Sequence, residues 1–329
     1  MLKRTSNDMD RRSFVKSLAG AGVLVAAGDL PVIAKDKPEL FPERGTAERL
    51  VLGYAVVHIG LKKPFSVLHI SDTHLTAVYP HEAEIKQKIS EIRTRTFGGR
   101  QEEALRDTLA WARENVDYVV HTGDLIDWQT EANFDLVKKY FGEFPVTGSM
   151  GNHEFSVNMW LAEPKETKDD AYKALSLDKL RKTYPYDISF QSQVVNGVNF
   201  ISMDDVYGYV TADQVEKFKE EAKRGLPIVL CMHVPFHSPE SWRVTKRYWK
   251  SGYHRFDNAA IPDPTGDYKR QLEDPVTRGF IDYLRTEPLL RAILTGHEHL
   301  MYEERFSPTA MQYLVGGNFM FHGREVLFV

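Results

Sequence analysis

Residues 68–75 read LHISDTHL. Val67, Leu68 and Ile70 make a short apolar run suited to a buried strand, and the run closes on Asp72 and His74, one residue apart. A strand that ends in polar residues delivers them to the sheet edge where open α/β folds collect ligands. In an extended chain residues i and i+2 point to the same side, so the spacing predicts a carboxylate oxygen and an imidazole nitrogen reaching one divalent ion. Taken alone the pair is a weak signal, because any exposed loop carries Asp and His by chance.

The same ending recurs along the chain. DYVVHTGD (117–124) reads as a strand closing on Asp124, FPVTGSMGNHE (144–154) as one closing on Asn152 and His153, and PIVLCMHVP (227–235) as one closing on His233. LLRAILTGHEH (289–299) closes on His297 and His299. Further strands are predicted at 51–59, 65–71 and 198–205, with the tail segments MYEERF, MQYLVGG and EVLFV as short antiparallel strands. Helices are predicted near 81–96, over 101–115 with Ala104, Leu105, Thr108, Leu109 and Ala112 on one face, over 133–141, over 211–225 and over 275–287. Thr211 is the expected cap of the 211–225 helix and Gly225 its stop. Strands alternating with helices imply a layered α/β architecture. Repeated polar strand ends in such a chain point to a shared site, and a mixture of carboxylate, amide and imidazole donors suits two ions of Mn, Zn or Fe(II) better than Ca or Mg.

The bulk properties narrow the function classes. The chain has 329 residues, 42% hydrophobic and 27% charged, with a formal net charge of −4 that gives nucleic acid no electrostatic footing. The one cysteine, Cys231, lies in an apolar run and reads as a small core residue. At the amino terminus, DRRSFVKSLAGAGVLVAAG joins Arg11 and Arg12 to an apolar stretch, Leu18 to Gly28. It resembles a twin-arginine export signal, with Phe14 and Lys16 in the matching places and a small-residue cleavage site at 32–34. An apolar stretch of about eleven residues is too short to span a bilayer, which needs about 20, so no stable membrane anchor is expected. The reading is a signal over 1–34, a linker over 35–50 and one domain over 51–329, in a periplasmic or secreted protein that meets the twin-arginine export machinery.

The ordered set DTH, GDLID, GNHE, MHVP and GHEH resembles the signature of the calcineurin-like metallophosphoesterase superfamily, over about residues 65–300. The resemblance implies an α/β fold of four layers, two mixed β-sheets flanked by helices. It implies that Asp72, His74 and His299 hold one metal ion, that Asn152, His233 and His297 hold a second, and that Asp124 bridges them. It further implies attack on phosphorus by a metal-bridging hydroxide, with His153 protonating the leaving alkoxide or stabilising charge on phosphorus. A hydrogen-bonding support role is the alternative for His153. Asp127 and Glu154 would orient ligands. His74 and Asp127 stand where purple acid phosphatases carry other residues, and Trp128 and Gln129 follow Asp127 where phosphoprotein phosphatases carry Arg-Gly.

The remaining histidines read as structural: His69 and His121 as core or supporting residues, and His58, His81, His237 and His322 as surface or loop. Segment 238–275 mixes Trp242, Tyr248 and Trp249 with Arg243, Lys246, Arg247 and Lys250, and is either a plain cover or a substrate lid that grips an anionic ester. The function expected is hydrolysis of a small phosphate ester, mono- or diester. A non-catalytic metal-binding scaffold and a metal-dependent nuclease are the alternatives.

Overall fold

Alternation along the strands decides the layering. The structure, a computed structural model, describes residues 49–142, 146–159, 163–249 and 266–329. The expected signal, nearly all of the expected linker and residues 250–265 of the expected lid lie outside them. In β2 (Phe65–Ile70) every residue is buried, with Phe65 and Val67 facing one core and Leu68 and Ile70 another. Burial on both faces is what a sheet covered on both sides requires.

The other strands are β1 (Val51–Val57), β3 (Tyr118–Thr122), β4 (Val146–Ser149), β5 (Phe190–Val195), β6 (Val198–Met203), β7 (Ile228–Cys231), β8 (Leu290–Thr295), β9 (Tyr302–Arg305), β10 (Met311–Leu314) and β11 (His322–Phe328). They form two mixed sheets, in the orders β1-β11-β2-β3-β4 and β5-β6-β7-β8-β10-β9. Strands β2, β3 and β4 are mutually parallel, as are β6, β7 and β8.

Between the sheets lies a core to which one contributes Val67, Val120, Val326 and Phe328 and the other Phe200, Val229, Cys231 and Leu294. Burial there pushes the Cys231 thiol up to about 12, as befits a core residue. The outer face of the first sheet is covered by α2 (Gln101–Asn115), which buries Ala104, Leu105, Thr108, Leu109 and Ala112, and by Val137, Tyr140 and Phe141 of α3 (Glu131–Phe141). The outer face of the second is covered by α6 (Ala212–Ala222) and α9 (Pro275–Leu284), whose Phe218 and Phe280 rings meet edge to face at 5.2 Å. Four layers result, two sheets inside and helices outside. The remaining helices are α1 (Glu84–Thr96), α4 (Asp170–Ala174), α5 (Leu177–Thr183), α7 (Pro239–Tyr248) and α8 (Gly266–Glu273).

Three details depart from the sequence reading. The first helix begins at Glu84, not 81. The tail strands do not form one antiparallel set: β10 pairs antiparallel with β9 but parallel with β8, while β11 joins the first sheet, parallel to β1 and antiparallel to β2. Strand β5 and helices α4, α5, α7 and α8 are additional elements. Thr211 does cap α6, in a reciprocal box with Gln214, and Gly225 follows that helix in a left-handed conformation.

Phe328 ties the layers together, its ring 5.0 Å from Phe65 of its own sheet and 5.5 Å from Phe200 of the other. Phe328→Ala should cost about 3–5 kcal/mol of stability, because the cavity lies where both sheets are closed by side chains that cannot collapse together. Urea unfolding of the two proteins measures this. A loss under about 1 kcal/mol would mean that the inter-sheet core repacks freely.

Candidate metal centre

The carboxyl ends of the two parallel strand sets deliver the polar residues. Asp72 and His74 follow β2, Asp124 and Asp127 follow β3, Asn152 and His153 follow β4, His233 follows β7, and His297 and His299 follow β8. The extended geometry expected for Asp72 and His74 is not how they converge. Strand β2 stops at Ile70, and both residues are left-handed, with φ of 54° and 51°. Asp124, His297 and His299 share that conformation, at 55°, 68° and 52°. The cause lies in the adjacent loop: the amides of Asp72, His74 and Leu75 donate to the carbonyls of Gly123, Asp124 and Leu125, each at 2.9 Å. The two loops stay paired past the end of the sheet, and the left-handed residues turn side chains inward. Such strain persists where surrounding structure over-determines it.

Two motif glycines are explained by contact. A Cβ on Gly151 would lie 2.1 Å from Asp124 Oδ1, and one on Gly296 would lie 2.4 Å from Asp72 Oδ2. No side chain fits between those carboxylates and the loops that pass them.

The ring nitrogens and carboxylates form two groups, Asp72 with His74 and His299, and Asp124 with His233 and His297. His299 Nε2 is 3.3 Å from Asp72 Oδ1 and 3.1 Å from His74 Nε2. His233 Nε2 is 3.3 Å from Asp124 Oδ2 and 3.2 Å from His297 Nδ1. The groups meet at Asp124, whose Oδ2 is also 3.8 Å from His74 Nε2. The opposite ring nitrogens are engaged by acceptors: His74 Nδ1 donates to Asp127 Oδ1 at 3.0 Å and His233 Nδ1 to the Thr122 carbonyl at 2.7 Å. With those protons committed, the lone pairs of His74 and His233 face other acceptors, an arrangement that a cation satisfies and that water-free packing does not. Asn152 Oδ1 and His299 Nδ1 are buried without a hydrogen-bond partner. The donor set therefore fits divalent ions.

Electrostatics agree with the geometry. Burial alone would raise Asp124, but His233 and His153 hold it well below the carboxylate range, and burial lowers His74 to about 4 against the pull of Asp127. Burial depresses His153, yet Asp124 and Asp127 outweigh it and hold the ring up at about 9. His153 Nδ1 lies 2.6 Å from the Asp127 carbonyl and 3.1 Å from its Oδ1, which leaves Nε2 for another partner. His74, Asp127 and His153 form a third possible grouping, but Arg93 already neutralises Asp127 through contacts of 2.6 and 2.8 Å.

Glu154 sits beneath the loops with nothing of the site in its own reach except backbone. It accepts from the amides of Asp124 at 2.8 Å and of Leu125 and Gly151 at 2.7 Å, and from the Tyr184 hydroxyl at 2.9 Å. Its carboxyl thus joins the loop after β3 to the loop after β4. His69 and His121 are buried beside Thr122 and Thr73, to which they hydrogen-bond at 2.9 and 3.1 Å.

Of the expected lid residues, Tyr248 and Trp249 reach the site: Tyr248 donates to the His299 carbonyl at 3.1 Å, and the Trp249 ring stacks 6.4 Å from the His299 ring. Trp242 packs on Tyr268 instead, Arg243 turns to Glu240, Lys246 lies over Trp242, and Arg247 is exposed. Lys250 lies outside the described residues. The sequence reading missed Arg93 and also Asp267, whose Oδ2 is 3.5 Å from His297 Nε2. Neither carries a local signal, since each meets its partner only through the tertiary fold.

Two sheets whose carboxyl edges meet at a paired imidazole and carboxylate centre define a metallophosphoesterase. Residues 65–301 match the calcineurin-like phosphoesterase family, and the chain belongs to it, which makes it a metal-dependent phosphoester hydrolase. No curated protein matches the sequence. Among solved structures it is similar to a dimetal phosphatase from Danio rerio, with 15% identity over 78% of this chain and 88% of that one and a TM-score of 0.43. It is also similar to a 5'-nucleotidase from Candida albicans, with 13% identity over 85% of this chain, 47% of that one and a TM-score of 0.37. A phosphopantetheinyl hydrolase from Mycobacterium tuberculosis gives 11% identity, 78% and 90% coverage and a TM-score of 0.36. The chain spans about half the length of the nucleotidase.

Gly151→Ala should displace Asp124 and the loop that carries it, because the new Cβ would sit 2.1 Å from its Oδ1 and 2.4 Å from its main-chain nitrogen. Metal affinity should fall by about 10–100-fold while the near-ultraviolet circular dichroism is kept. Elemental analysis after gel filtration decides it, and a full metal complement would show that Asp124 is not held by this contact.

Proposed function

We propose that the protein is an exported hydrolase of small phosphoric esters that works with two divalent transition-metal ions, Mn, Fe or Zn. Asp72, His74 and His299 hold one, Asn152, His233 and His297 hold the other, and Asp124 is shared. The observation that carries the reading is the meeting of two donor groups at Asp124 Oδ2, 3.8 Å from His74 Nε2 and 3.3 Å from His233 Nε2. When bound, such ions supply Lewis-acid polarisation of a phosphate oxygen and a water acidified toward neutral pH.

The chain's own groups do the orienting and the proton transfer. Asp127 and the Thr122 carbonyl fix the tautomers of His74 and His233, so that Nε2 of each faces the centre. His153, with Nδ1 held by Asp127, turns Nε2 to the leaving-group oxygen and gives it a proton as the ester bond breaks. Tyr248 and Trp249 wall the His299 side. A net charge of −4 favours a small ester over a polynucleotide, whose phosphates need a basic track.

Chelation should abolish hydrolysis of chromogenic phosphate esters, and added Mn, Zn or Fe(II) should restore it. His153→Ala should keep its metal and lose about 10²–10⁴-fold on esters with alkoxide leaving groups, with a smaller loss on aryl esters. Metal content and both rates are measured on one preparation. Loss of metal in the variant would make His153 a ligand, and full activity of chelated wild type would remove the mechanism.

Export rests on Arg11, Arg12, Phe14 and Lys16. Replacing both arginines by lysine should hold the precursor in the cytoplasm, as cell fractionation reads. Unchanged export would assign another route.

A further inference from the structure

Arg93 in helix α1 and Phe97, the residue that caps its C-terminus, lie one turn apart, and both bear on His74, Phe97 directly and Arg93 through Asp127. The Phe97 ring stacks on the His74 ring at 4.1 Å and 10° between planes. The Arg93 guanidinium lies over the Phe97 ring, 4.9 Å from its centroid, and grips Asp127. Its Nε donates to Oδ2 at 2.6 Å and a terminal nitrogen to Oδ1 at 2.8 Å, a planar fork on a fully buried carboxylate. Asp127 Oδ1 also lies 3.0 Å from His74 Nδ1 and 3.1 Å from His153 Nδ1. Asp127 therefore serves two imidazoles, His74 through Oδ1 and His153 through the same oxygen and, more closely at 2.6 Å, through its main-chain carbonyl.

A carboxylate with a single rotatable partner would favour one ring over the other by turning about its last torsion. The fork removes that freedom, because rotation would break both Arg93 contacts. We propose that Arg93 is a positioning residue that acts through Asp127, holding its carboxylate so that His74 and His153 are oriented together. This rests on the roles given to those histidines above. Phe97 fixes the plane of the His74 ring, and Asp127 fixes its rotation within that plane.

The test is a double-mutant cycle with a metal readout. Arg93→Met, Arg93→Lys, Asp127→Asn and the Arg93→Met/Asp127→Asn pair are stripped of metal and titrated with Mn(II) by calorimetry. Rates on alkyl and aryl phosphate esters are then compared in the metal-loaded proteins. Arg93→Met should weaken Mn(II) binding about 10–100-fold and widen the gap between alkyl and aryl substrates. Arg93→Lys, which reaches only one oxygen, should fall between it and wild type. In the Asp127→Asn background, Arg93→Met should add less than about twofold. A lower melting temperature with Mn(II) affinity and substrate gap unchanged would make Arg93 merely structural and overturn the proposal. Additive losses in the cycle would overturn it too, by showing that Arg93 acts without Asp127. If wild type hydrolyses no ester, the functional reading fails, while the Mn(II) titration still decides the role of Arg93.

Discussion

Asp72 and Asp124 are buried to 0% and 2% exposure within one centre, and their mutual repulsion is the constraint that the surrounding structure answers. Two desolvated carboxylates at close range favour protonation of one of them unless positive charge is brought in. The fold brings imidazoles. His233 and His299 lie 3.3 Å from the two carboxylates, and Asp124 in turn raises His233 well above an ordinary histidine in spite of burial. A divalent ion held between these carboxylates and imidazoles would balance the charge and satisfy the remaining lone pairs. Sheet, loops and supporting side chains can be read as the means of keeping the gap between them open.

Keeping it open requires that several loops be fixed against one another. The left-handed residues Asp72, His74, Asp124, His297 and His299 are costly for non-glycine chains, of order 1 kcal/mol each. Glu154 supplies part of the compensation by gathering the amides of Asp124, Leu125 and Gly151 under one carboxylate. Asp205 acts alike on the second sheet, accepting from the His233 amide at 3.0 Å and that of Val234 at 3.2 Å. Burial and the nearby Asp124 push Glu154 up to about 7, so its hold on the loops depends on the same charge balance as the metal centre.

The sequence made the polar strand ends legible and left their geometry hidden. Apolar runs closing on Asp, Asn or His are local signals, so Asp72, Asp124, Asn152, His233 and His297 could be found without a fold. Their backbone conformation could not, because Asp72 turns left-handed through contact with Gly123, far along the chain. Arg93 looked like any helix-surface arginine, since its partner Asp127 belongs to another element. The pairing of β11 with β1 was equally hidden: His322–Phe328 is almost wholly buried, and such a strand says nothing about direction. β5 escaped notice because Phe190–Val195 is a half-exposed edge strand of mixed polarity, and α4 and α5 are too short to show a helical period.

The segment after β7 shows how a cover can also be part of the centre. In α8, Asp267 approaches His297, Tyr268 donates to Glu298 at 2.7 Å, and Gln271 bonds the loop after His233 through the His237 amide and the Pro235 carbonyl, both at 2.9 Å. Each contact lands on a loop that carries an expected ligand. The aromatic residues of α7 meanwhile reach the His299 side through Tyr248. The described helices of this segment are thus tied to the loops of His233, His297 and His299. Moving α8 away from the site would break its contacts with the loops that carry His233 and His297.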